Sequence, residues 1–227
     1  MICGDFDPEQ AKSLVQLYFG AIPAAAEPPP TATVPVKLTE EKVIRQTEAG
    51  VPHQKVWIAW PSAAVLSPGD AELDLLASVL SNGKSSRLVR SLVVEKQIAS
   101  DIEAYQSSFD LAGMFIVEAT AAKGHATDEI VAEVDKILAD IKKSGPTAKE
   151  VQIAVVNYES AFVSSLSTVS GKANLLNSYY HARGEPDSFA WDLARYAAVT
   201  PEGVQQTANT WLGSGRVVLH IAPEVTK

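Results

Sequence analysis

From Gln54 to Trp60 the apolar side chains Val56, Ile58 and Trp60 fall on every second residue. A period of two puts all three on one face of a strand, so this stretch commits the chain to a sheet that buries one side. That side needs a cover. Further along, Ala126 to Lys143 sets Ile130, Val134, Ile137, Leu138 and Ile141 on a single helical face, the kind of stripe that packs on a sheet.

The remaining segments read consistently with this pairing. Lys42 to Thr47 and Arg216 to Ile221 have strand character, and Ile98–Phe109 with Ala112–Ala121 reads as a hairpin turning at Asp110. Ser67-Pro68 is expected to cap a helix carrying Leu73, Leu75, Leu76, Val79 and Leu80; Asn82-Gly83-Lys84 then turns, and Ser85 opens a second helix through Leu88, Leu92 and Val93. Thr147-Ala148-Lys149-Glu150 has the spacing of a capping box for a helix running toward Ser167. Helices follow at 171–182, 186–197 and 201–211, the last capped by Thr200. The expected class is α+β, with an antiparallel or mixed β-sheet and helices packed on one face.

Three segments are expected. Residues 1–23 form a short strand at Met1-Ile2-Cys3 and a helix with Asp7 as cap, Pro8 at its first position and Gly20 as its stop. Residues 24–38 are a proline-rich linker, and residues 39–227 are one domain. The net charge of −8 argues against a nucleic-acid partner, and no apolar run reaches the roughly 18 residues of a membrane span. Cys3 is the only cysteine, which excludes an intramolecular disulfide and a cysteine metal cluster. Asp5 and Asp7 interrupt any signal-peptide pattern at the start.

Several stretches, in order, resemble the second half of a pitrilysin/insulinase-type zinc peptidase. They are Gly4-Asp5-Phe6-Asp7-Pro8; Asn82-Gly83-Lys84-Ser85-Ser86-Arg87-Leu88 with Glu95-Lys96-Gln97; Ala104-Tyr105 with Ser107-Ser108-Phe109; Ala112-Gly113-Met114-Phe115; and Thr200-Pro201-Glu202-Gly203-Val204 with Val217-Val218. The resemblance implies a metallohydrolase-like half-unit in which residues 1–23 close a preceding catalytic half, so the chain begins inside a longer protein. An upstream leader would send that parent to the cell envelope or periplasm. The family motif His-x-x-Glu-His is missing. The resemblance therefore implies no metal and no catalytic residue here, with zinc in a catalytic half on the same parent chain or a separate subunit, and a peptide as substrate. A scaffold or binding protein that kept the fold without proteolysis, like core subunits of a respiratory complex, fits the same residues. An enzyme with an unrelated site of its own is the third class.

The family's second functional pair is an arginine and a tyrosine that stabilise charge developing on the substrate carbonyl. Alignment after Ser86-Arg87-Leu88 places these positions on Val93 and Ser100, neither of which can do that work; Arg90 and Tyr105 are the nearest replacements in sequence. Among the four histidines, His125/Glu129, His181/Glu185 and His220/Glu224 have helical i,i+4 spacing, but two ligands rarely hold zinc. Surface or capping roles are expected for them. Asn82-Gly83-Lys84-Ser85 lacks the earlier glycine of a phosphate loop, since Ser78 stands there. Tyr179, Tyr180, Trp191 and Tyr196 are expected to pack helix against helix.

Overall fold

The computed structural model describes residues 1–26, 29 and 36–224. The proline-rich linker expected over 24–38 lies largely outside the described residues. Two compact units are present, Met1–Val34 with Phe162–Ser188, and Pro35–Ala161 with Phe189–Lys227.

The larger unit is built on strands β1 (Lys42–Glu48), β2 (Lys55–Ser62), β3 (Ala99–Ser108), β4 (Gly113–Ala121) and β5 (Val217–Pro223), in the spatial order β1-β5-β2-β4-β3. β1 runs parallel to β5 and every other pairing is antiparallel, so the sheet is mixed, as expected. Cross-strand partners share a face, and the register shows which face is packed. Val56–Ala119–Ile102, Val218–Ile58–Val117–Ala104 and Trp60–Phe115 form rows in one direction, and all of these residues belong to the buried core. Against them lie α2 (Asp70–Ser81), α3 (Thr127–Ser144), α4 (Ala148–Ser165), α6 (Phe189–Ala197) and α7 (Pro201–Trp211). The alternating stretch that opened the sequence reading is thus the central strand. No core residue comes from the opposite rows, Leu219–Trp57–Glu118–Glu103 and Val217–Ala59–Ile116–Tyr105.

Two arginines tie distant segments of this unit together. Arg87 forks onto Glu150, with Nε–Oε1 2.7 Å and Nη2–Oε2 2.9 Å, and its Nη1 reaches Asp140 at 2.9 Å. Glu150 also closes the expected capping box by accepting the Thr147 N–H at 2.7 Å. Held by Arg87, its carboxyl falls to about 2. Arg216 binds Asp135 on α3 and Glu41 ahead of β1, and its guanidinium lies 5.5 Å from the Trp60 ring centre. The chain entering β1 is fastened by the same corner, since Lys42 N–H donates to Arg216 C=O at 2.8 Å.

Three local readings need correction. Ser67 does not cap α2: its hydroxyl donates to Ala64 C=O, and Gly69, at φ +94°, is the residue before the helix. Glycine tolerates that left-handed turn without a Cβ penalty. After the turn at Gly83, Ser86 rather than Ser85 makes the anchoring bond, donating to Gly83 C=O at 2.6 Å. The helix expected from Ser85 becomes a π-helical turn, Val89–Glu95, in which Lys96 N–H reaches back five residues to Ser91 C=O.

In the smaller unit, α1 (Pro8–Phe19) follows Asp7, whose carboxylate accepts the N–H groups of Glu9 and Gln10. Leu14, Val15, Leu17, Tyr18 and Phe19 remain exposed. The strand expected at Met1-Ile2-Cys3 is not formed: among the described residues the strands lie between residues 42 and 223, and a strand needs a hydrogen-bonded partner strand. α5 (Val169–Arg183) starts at Thr168, which accepts Gly171 N–H, and stops at Gly184 with φ +73°.

One-sided packing predicts unequal costs. Phe115→Ala is expected to cost about 3–5 kcal/mol, whereas Met114→Ala, 46% exposed on the other face, should stay within about 0.5 kcal/mol. Urea unfolding checks this, and equal losses would mean that both faces are packed.

Candidate functional site

α2, α6 and α4 meet over a cluster of charge that no sequence motif announced. Asp70, 2% exposed, accepts from Leu66 N–H at 2.8 Å, from the Gln106 amide at 3.0 Å and from Arg195 at 2.9 Å. Arg195 also donates to Asp192, 5% exposed, at 2.8 Å. Asp192 in turn accepts from the Tyr158 hydroxyl at 3.2 Å, and the rings of Tyr158 and Tyr196 stack with centres 3.4 Å apart. Tyr196 donates to Asp74 at 2.6 Å. Burial, which disfavours charge, pushes the Asp74 carboxyl up to about 6 against the Tyr196 hydrogen bond, with Asp70 adding to the rise. Burial also raises the phenols of Tyr158 and Tyr196, so both remain donors.

Asp74 looks outward into a groove of about 540 Å³ between α2 and the edge strand β3, lined also by Ser78, Asn82 and the strand from Asp101 to Gln106. The β3 edge beside it is not free along its length. Ser81 on α2 accepts Ala104 N–H at 2.9 Å, and its hydroxyl lies 3.1 Å from Ala104 C=O. Val65 N–H takes Phe109 C=O at 3.0 Å. These bonds occupy groups that an added strand would need. At the other edge, β1 is exposed at all seven residues.

The residues singled out in the sequence are dispersed. Val93 packs against the core from the π-helical turn. Ser100 is exposed at the irregularity between Ala99 and Asp101, where its hydroxyl donates to Thr120 C=O at 3.3 Å. Arg90 is tied to Glu95 at 2.7 Å, and Tyr105 donates to Glu118 at 3.4 Å on the open sheet face. His125 Nδ1 stands 3.0 Å from Glu129, whose other oxygen accepts Ala126 N–H and so completes the start of α3. His220 faces Thr127 at 2.8 Å in the interior, where burial lowers its pKa. Among the described residues no three His, Cys, Asp or Glu side chains are grouped to hold a metal ion. The His125 imidazole is committed to the Glu129 contact at the start of α3 and that of His220 to the Thr127 contact in the interior. Tyr196 does pack helix on helix, while Tyr180 is 64% exposed.

A family model described as the peptidase M16 inactive domain matches residues 1–157. The chain belongs to the peptidase M16 inactive-domain family. A zinc protease, PqqE, of Helicobacter pylori is 23% identical over 185 residues, covering 79% of this chain and 41% of that protein. The crystal structure of a protease from Helicobacter pylori superposes with a TM-score of 0.83 at 20% identity, over 97% of this chain and 54% of the other. A peptidase M16 inactive domain from Pseudomonas fluorescens gives 0.76 at 17% identity, over 99% and 53%. At such identities the structures establish the shared fold. The chain spans about two fifths of the length of the curated relatives it matches. No helix among the described residues is long and apolar enough to cross a membrane.

Two predictions follow from the cluster and the edge. Asp74 has a raised pKa in the folded state, so its contribution is fully present below about 3.8 and is lost as pH rises to about 6. Asp74→Asn keeps an acceptor for Tyr196 and should flatten the stability-versus-pH curve between pH 4 and 6. Above pH 6 the gain should approach about 2–3 kcal/mol relative to the parent; urea titrations at several pH values measure it. For Ser81→Ala, amide exchange at Ala104 should accelerate about fivefold, the equivalent of one hydrogen bond of about 1 kcal/mol, with exchange in β4 unchanged.

Proposed function

We propose that this chain is the non-catalytic half of a zinc-dependent peptidase, supplying chamber wall and substrate-contact surface to a catalytic half located elsewhere. The observation that carries the reading is the sheet with one face buried under helices and the other left outside the core. A wall needs such a face: rigid backbone behind, accessible side chains in front. The zinc-protease relatives, of which this chain matches only a part, support a division of labour between two halves. The exposed apolar stripe of α1 supports it too, because Leu14, Leu17 and Tyr18 share one helix face and form a patch that a neighbouring body would bury.

On this reading zinc, the water-activating glutamate and the proton transfers belong to the other half. This half holds the peptide and excludes water from around it. The capped β3 edge supports leaving strand-wise capture of the peptide to the catalytic half, so that side-chain contacts on the open face are what remains here.

The test is reconstitution. Alone, the chain should contain no stoichiometric zinc and cleave no peptide; mixed or co-expressed with an M16 half carrying His-x-x-Glu-His, it should raise peptide cleavage sensitive to a chelator. One zinc per isolated chain, with cleavage in the absence of any partner, would overturn the proposal. A stable complex without cleavage would favour the scaffold alternative.

A further inference from the structure

The open face of the sheet carries an arrangement that packing does not explain. Glu103 on β3 and Glu118 on β4 are directly opposite in the register, and both project to the side away from the helices. Like charges at such positions repel and destabilise a sheet. A pair kept for structure would have a lysine or arginine between them. Among the described residues no ion pair to either carboxylate is formed, and Lys55 on β2 leans over the Trp57 ring at 6.0 Å.

Glu118 is moreover aimed. Trp57 Nε1–H donates to its Oε2 at 2.7 Å, and the Tyr105 hydroxyl approaches the same oxygen at 3.4 Å from the diagonal position. Both donors hold one oxygen, Oε2, which orients the carboxylate. Glu103 is exposed, while Trp57, Tyr105 and Glu118 are half-buried on a wall that includes Ile116 and Leu219. The combination is an apolar, aromatic surface with one fixed and one adjustable carboxylate. It complements a cationic group on an apolar stem, and an aromatic ring beside the pair adds attraction for that cation.

We propose that this face docks an extended peptide whose arginine or lysine side chain sits on the Glu103–Glu118 pair beside Tyr105. The inference names the substrate class for the chamber wall and rests on that reading. The occupant is a basic peptide segment rather than a second copy of this chain, because the chain is acidic overall and this face repeats that charge.

The test uses the full chain and two fluorescent peptides of equal length and β-propensity, one with a central arginine and one with glutamate there. The arginine peptide should bind and shift the Trp57 indole N–H resonance, and the glutamate peptide should not. Glu103→Gln and Glu118→Gln should each weaken binding roughly two- to fivefold, as expected for a partly exposed ion pair, and the double variant more. Neither variant threatens the fold, since each removes a repulsion, and Glu103→Gln should raise Tm. Glu202→Gln, on the exposed side of α7, removes one negative charge in the same way and should leave affinity unchanged. Equal binding of both peptides, equal loss in the Glu202 variant, or self-association through this face in place of peptide binding would overturn the inference. If reconstituted cleavage proceeds while the Glu103 and Glu118 variants treat both peptides as the parent does, the docking inference fails and the proposed function stands.

Discussion

Two nearly buried carboxylates, Asp70 and Asp192, share a single guanidinium. Burying either without Arg195 would cost several kcal/mol of lost hydration. Because Asp70 sits at the start of α2 and Asp192 on α6, that one side chain fixes how helices far apart in sequence stand over the sheet. The Gln106 amide on Asp70 extends the constraint to the edge strand, and the stacked Tyr158–Tyr196 rings extend it to α4. Once the helices are held, the groove beside Asp74 and the capping of β3 by Ser81 follow from their position.

The two sides of the sheet then have separate duties. The helix-covered side carries the stability, through Ile58, Trp60, Phe115 and Val117 with their partners on α2, α3 and α7. The open side is free to carry side chains that do not help folding, and the opposed Glu103 and Glu118 belong there. A protein that spends a repulsion on an accessible face has usually placed it for a partner, since local rules are broken mainly at functional sites.

Alternation at Val56, Ile58 and Trp60, the hairpin at Asp110, the capping box at Thr147 and the cap at Thr200 were legible in sequence, because each is set by neighbours a few residues away. The π-helical turn and the missing strand at Met1-Ile2-Cys3 were not, since both depend on long-range partners. The Asp70–Arg195 contact joins residues 125 apart, and three aspartates among apolar helix positions give no signal of which will be buried together. Trp57 and Glu118 could have been suspected. Both stand out of phase with the buried rows of an alternating strand, which is where the open face had to be.

Arg216 has a mechanical consequence. It grips Glu41 and Asp135 while lying over Trp60, and the backbone at Lys42 is pinned to the same corner. Any tension arriving along the polypeptide from the N-terminal direction is delivered to α3 and the central strand before it can peel β1 from β5. The joint works as a strain relief for the β1–β5 pair.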